Sequence, residues 1–155
     1  DAAHRRLAEQ IKSKSAERIY VVVVFGMPEH EKFTIDAPIG RHRGIPSLMT
    51  VKREGRGAVT HVKVLGSGGH GSLVTCRLET GRTHQIRVHL SSIGHPVRGD
   101  KQYAKKPWNE GPLQLHAALL KFVHPATGEA LAVYAEPPED FLLADDVTRE
   151  GIEEW

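Results

Sequence analysis

Histidine, arginine and tyrosine supply most of the chemically capable side chains of this sequence, and their spacing narrows what they could do. Ten histidines raise the question of a metal centre. No His-Glu-x-x-His occurs, His84 and His89 stand five positions apart and so diverge around a helix, and His30 and His42 have no suitably spaced partner. No metal site is expected on that pattern. Cys76 falls in the middle of an apolar-polar alternation, and neither it nor Ser72 sits in the turn that exposes an elbow nucleophile. Core packing is the expected role of Cys76. Spacing alone leaves a dispersed Ser-His-Asp or Cys-His arrangement open. The glycine-rich stretch Gly66 to Gly71 lacks the lysine and the following helix of a phosphate-cradling loop, and reads as a hairpin turn. The most concentrated positive segment runs from 37 to 57, where Arg41, Arg43, Lys52, Arg53 and Arg56 oppose only Glu54.

The elements that must hold these groups follow from periodicity. Residues 1 to 14 set Ala3, Leu7 and Ile11 on one stripe of an amphipathic surface helix. Ile19 to Phe25 is β-branched and almost wholly apolar, which predicts a strand buried on both faces. The 37–57 segment, rich in glycine, proline and charge, reads as a long loop or a loose hairpin. Two alternating strands near 58–65 and 72–79 form a hairpin through Gly66 to Gly71. Thr83 stands where an N-cap belongs, ahead of a short helix to Ile93 that Gly94 and Pro96 stop. On that helix His84, Arg87 and Ser91 share one face, while Ile86, Leu90 and Ile93 share another. Leu113 to His124 and Ala130 to Tyr134 read as a last strand pair, followed after Pro137 and Pro138 by an acidic, helical tail.

A chain of 155 residues and 17.1 kDa is long enough to close one core without metals or disulfides. A single cysteine forms no internal disulfide framework, no apolar run approaches a membrane span, and the polar opening residues are no signal peptide. A soluble, cytoplasmic protein without a membrane partner is expected. The formal charge of +2 divides unevenly. From Glu139 to Trp155 seven acids face one base, Arg149, leaving residues 1 to 138 at +8. A basic body of this kind suits a polyanionic partner.

The run Leu78-Glu-Thr-Gly-Arg-Thr-His-Gln-Ile-Arg-Val-His-Leu-Ser-Ser-Ile-Gly-His-Pro-Val-Arg-Gly-Asp-Lys-Gln-Tyr103 resembles the RluA-type family of RNA pseudouridine synthases. The resemblance extends upstream through Tyr20 and Ala37-Pro-Ile-Gly-Arg41, and downstream through Leu115-His-Ala and His124-Pro-Ala-Thr-Gly128. It implies an α/β (α+β) fold with a mixed, mostly antiparallel sheet and short helices. It also implies one partial catalytic domain over residues 1–155, with 137–155 as the acidic tail. The implied reaction is an isomerisation: the bond from ribose to uracil N1 is broken and remade to C5, without cofactor or metal. Tyr20 matches the tyrosine that stacks on the flipped base, and Arg87 the cation that pairs with a catalytic aspartate. Leu115 would pack beside them, and Arg41, His42, Arg43 and Arg82 would contact phosphates. The family carries its aspartate in His-Arg-Leu-Asp, a motif absent from these 155 residues; the resemblance places it ahead of Asp1. These residues alone are therefore expected not to catalyse and to leave Arg87 without its carboxylate. The alternative is an inactive RNA-binding module of the same descent. Either way the implied partner is ribosomal or transfer RNA, and no obligate protein partner is inferred.

Overall fold

The computed structural model describes residues 2–12 and 16–154. Helix α1 (Ala2–Lys12) leads into strand β1 (Glu17–Val24), then β2 (Lys32–Asp36), the short β3 (Ile39–Arg41) and β4 (Met49–Val51), and the long hairpin β5 (Val59–Gly68) and β6 (Gly71–Leu78). Helix α2 (Gln85–Ser92) follows, then β7 (Leu115–Val123), β8 (Ala130–Tyr134), a 3-10 turn (Ala144–Asp146) and α3 (Arg149–Glu153). Six strands form one sheet in the order β2-β5-β6-β1-β7-β8, with every neighbouring pair antiparallel, and β3 pairs with β4 in a separate ribbon. This is the α+β architecture with a mostly antiparallel sheet that the sequence resemblance implied.

The valine run of β1 lies at the centre of the sheet because both of its faces are covered. Val21 and Val23 face a cluster completed by Leu73, Phe141, Val147 and Ile152. Val22 and Val24 face Val74, Cys76, Ile86, Leu90 and Val97. All four valines are fully buried, whereas Phe25, one residue past the strand, is 52% exposed, so the two-sided burial ends at Val24. The acidic segment from 137 onward is no loose tail. Its apolar residues Phe141, Val147 and Ile152 close one face of the core while its carboxylates stay outside. Thr148 caps α3, its Oγ1 accepting from the Gly151 amide at 3.0 Å.

Three local expectations change. Lys32-Phe-Thr-Ile-Asp36 forms an edge strand whose period-2 alternation turns Phe33 and Ile35 onto the core, a signal that the surrounding charges obscured. The hairpin strands reach further than 58–65 and 72–79, pairing to Gly68 and Gly71 around a two-residue tip. Helix α2 begins at Gln85, and its N-cap is His84 at φ 56° with no side-chain cap, rather than Thr83. The reason lies in Gln85. Its backbone amide donates to Arg82 O at 3.0 Å while its Oε1 accepts the Arg82 amide at 3.0 Å, so a tight turn across Thr83 and His84 takes up the Gln85 amide that a Thr83 cap would have served. Of the helix expected over 1–14, residues 1, 13 and 14 lie outside the described residues.

Candidate functional site

The polar residues of the 80–103 segment divide into those that build the scaffold and those that face outward. Gln85 is buried and uses every hydrogen-bonding position of its amide. Oε1 accepts from Thr80 Oγ1 (2.7 Å) and Arg82 N, while Nε2 donates to Val59 O (3.0 Å) and Thr60 Oγ1 (2.9 Å). Thr60 passes the chain on to His89 Nδ1 at 2.8 Å, and His89 Nε2 donates to Ala37 O at 2.8 Å. A carbonyl can only accept, so Nε2 carries the proton and Nδ1 is the acceptor. His89 has no exposed surface, and burial holds its pKa below the ordinary imidazole value against the opposing pull of the Ala37 carbonyl. Gln85 and His89 thus fasten α2 to β5 and to the chain entering the β3–β4 ribbon.

Arg87 turns the other way. Its Nε donates to Asp100 Oδ2 at 2.9 Å and its Nη2 to Asp100 Oδ1 at 2.7 Å, a bidentate pair, and Nη2 also reaches Gln102 Oε1 at 2.7 Å. Asp100 is fully buried and accepts further from the amides of Gln102 and Tyr103, both at 3.1 Å. The hydrogen bonds that Arg87 donates to Asp100 raise its pKa above the ordinary value, more than burial lowers it. Arg87 is therefore not left without a carboxylate, as the sequence led one to expect: Asp100 of the same chain supplies one. Gly99 makes the turn possible: at φ +80° it brings its Cα so near Pro112 that a Cβ would stand 2.1 Å from the Pro112 carbonyl oxygen.

Tyr103 joins the pieces. The face shared by His84, Arg87 and Ser91 packs on it: its hydroxyl donates to His84 Nδ1 (2.8 Å), the Arg87 guanidinium lies 5.0 Å from its ring, and Ser91 Oγ donates to its carbonyl (3.1 Å). The same hydroxyl accepts from Met49 N at 2.9 Å, which ties β4 to α2. Burial, and then the Arg87 cation, lower the His84 pKa, against Asp100, which favours the neutral imidazole that accepts this bond. With Ile39, Ala58 and Val88 buried at its base, the 37–57 segment is the hairpin of the two alternatives, and it is docked rather than loose.

The other expected site residues scatter accordingly. Tyr20 stands beside Cys76 of β6 and Ala117 of β7, and Leu115, paired with Val22, joins the same apolar cluster. Tyr20 also lines a cleft of about 310 Å3 with Arg18, Ala117, Leu120 and Val133. Arg18 belongs to no motif and carries no signal in the sequence; its Nε is buried with no hydrogen-bond partner among the described residues. Arg41 is exposed and donates to Pro46 O, Arg43 is exposed, and Arg82 donates to Gly57 O at 2.8 Å. His42 is drawn into its own turn, Nδ1 accepting from Gly44 N and Ile45 N. Cys76 is fully buried, and burial pushes its thiol far up, consistent with packing. Among the described residues no group of three histidines, cysteines or carboxylates is placed to hold a metal. No helix of the described residues is long and apolar enough to cross a membrane. Asp100 and Gln85 had a legible signal: an acid directly after a glycine, and a glutamine four positions before His89 and next to the apolar Ile86, must find partners once buried.

Residues 1–92 match the family model described as RNA pseudouridylate synthase. The chain belongs to the RNA pseudouridylate synthase family. Within this family it is of the RluA type, as its relatives indicate. A Bacillus subtilis protein named Uncharacterized RNA pseudouridine synthase YlyB is 45% identical over 97% of this chain and 50% of its own length. Ribosomal large subunit pseudouridine synthase D of Zymomonas mobilis is 42% identical over 92% of this chain and 48% of its own. Among solved structures, Human RNA Pseudouridylate Synthase Domain Containing 1 superposes with a TM-score of 0.74 at 29% identity, covering 92% of this chain and 61% of that one. The chain spans about half the length of the curated relatives it matches.

Proposed function

We propose that this chain serves the isomerisation of uridine to pseudouridine in RNA, supplying the base-holding and cationic half of the site. One observation carries the reading. In a chain of this family, Tyr20 stands on the open part of a sheet face, beside an apolar cleft with an arginine at its rim. An aromatic ring in such a cleft suits a pyrimidine taken out of its stack, and apolar walls strengthen any charge interaction made there. Breaking the N1 bond and remaking the link at C5 releases the C5 proton, and in this reading its removal is assigned to Tyr20. Arg18 brings an unspent donor to the same cleft. Arg41, Arg43 and Arg82 hold phosphates and set the register of the strand without reading its bases.

Arg87 in this reading pairs with a catalytic aspartate contributed from outside these 155 residues. The pair with Asp100 occupies Nε and Nη2 and fixes the plane of the guanidinium, so that Nη1 is the edge offered to an incoming carboxylate. Release of tritium from uridine labelled at C5 in an RNA transcript tests the assignment. The chain alone is expected to release none, and addition of a polypeptide carrying the family's His-Arg-Leu-Asp segment is expected to restore release; turnover by the chain alone would overturn the absence of a nucleophile. The self-contained Arg87–Asp100 pair favours a second reading, an RNA-binding module that does not isomerise. Salt-sensitive RNA binding with no release in the presence of the added segment selects that reading.

A further inference from the structure

At the far end of β1 from Tyr20 lies a second groove that the proposed reaction does not use. Phe25 follows β1 directly, about 16 Å from Tyr20 at roughly 3.3 Å per residue. With Met27, Trp108 and the backbone of Gly68, Gly69 and Gly71 it lines a cavity of about 420 Å3. Large apolar side chains here face solvent: Phe25 is 52% and Met27 72% exposed. The glycines explain the shape. Added Cβ atoms at Gly68 and Gly69 would meet nothing, so one wall is bare backbone, while at Gly71 a Cβ would stand 2.7 Å from the Trp108 ring. The glycine-rich tip is thus more than a plain turn: it makes room for an indole and leaves a flat opening beside it.

Arg98 supplies the charge. Its guanidinium lies 5.0 Å from the Trp108 ring centroid and donates to the His70 carbonyl at 3.1 Å. It is half-buried, and among the described residues it makes no ion pair. Trp108 is itself held in place, with Nε1 donating to Pro96 O at 2.9 Å and Phe25 edge-on at 5.5 Å. Two aromatic rings and a thioether, fixed next to a cation without a carboxylate, match a planar base attached to a phosphate.

We propose that this groove is a stacking site for an unpaired nucleotide of the RNA, its base against Phe25, Met27 and Trp108 and its phosphate on Arg98. This rests on the RNA reading above and adds to it a second point of attachment remote from Tyr20. The contact is sequence-tolerant, because every base has a face to stack and the glycine wall offers no side chain to read an edge.

The substitution Trp155→Phe leaves Trp108 as the single indole and thus the reporter. Octauridylate, a single strand, is expected to quench Trp108 emission saturably, and Phe25→Ala, Met27→Ala and Arg98→Gln are each expected to weaken its binding about tenfold. Because Phe25 and Met27 are mostly exposed, their variants keep the fold. Retention of octauridylate on a filter, with Trp108 emission unmoved and the three variants binding as before, overturns the groove and leaves the RNA reading intact. Quenching by uridine 5′-monophosphate without retention of octauridylate keeps the nucleotide groove and overturns the RNA reading. Silence of Trp108 toward both probes overturns the proposal.

Discussion

The pairing of Arg87 with Asp100 shows how much a single side chain's meaning depends on what lies opposite. Breaking a buried ion pair from one side leaves the other charge desolvated and unpaired, at a cost of about 3 to 5 kcal/mol. Asp100 has no exposed side-chain surface and Arg87 is 15% exposed. Asp100→Asn is therefore expected to lower stability by about 3 kcal/mol, read as a lower urea midpoint at unchanged slope; an unshifted midpoint would show the pair to be energetically idle. His89 offers a second test. Its folded pKa lies below the unfolded one, so the native state holds fewer protons between those two values, and stability rises with pH across that window. The contribution is complete above about 6.5, the ordinary imidazole value, and is lost as pH falls below it, by at most about 1.4 kcal/mol per pH unit. Urea titrations at pH 7.5 and 5.5 should show a smaller loss in His89→Gln than in the unsubstituted chain, since the other nine histidines are common to both.

At the scale of elements, the link that decides most is the one between the β3–β4 ribbon and α2. Strand β4, the turn after Gly99 and the start of α2 meet at Tyr103, whose hydroxyl bonds to two of them, through Met49 N and His84 Nδ1. Tyr103→Phe removes both bonds while preserving the ring. A net hydrogen bond is worth about 1 kcal/mol, so exchange of the Met49 amide with deuterium is expected to quicken about fivefold, with amides of β1 unaffected. Equal protection in the variant would mean that the apolar contacts of Ile39 and Val88 alone hold the ribbon. The ribbon was legible in sequence as a basic, glycine-rich segment. Its docking was not, because it depends on Tyr103, some fifty positions further along the chain.

For the molecule as a whole, the distribution of charge carries the expectation about RNA. Arg43 is exposed on the ribbon, and a cation that neutralises a phosphate adds to the salt dependence of binding through the counterion it releases. Arg43→Ala should weaken RNA binding similarly for unrelated sequences and lower the slope of log affinity against log salt by roughly one. A change confined to one RNA sequence would contradict a purely positioning role.

The sequence by itself determined the central strand, the hairpin, the short helix with its two faces and the family resemblance, because each is written in residues adjacent along the chain. The periodicity of 2 or 3.6 and the motif from Thr80 to Tyr103 need no knowledge of what folds against them. Tertiary structure alone decided that Asp100 neutralises Arg87, that His84 rather than Thr83 stands at the start of α2, and that Phe141, Val147 and Ile152 turn an acidic tail into part of the core. It also brought Phe25, Gly71 and Trp108 to one groove and set Arg98 against the Trp108 ring. Those contacts join residues far apart in the chain, and a buried charge or a bare ring takes its chemistry from whichever neighbour the fold supplies.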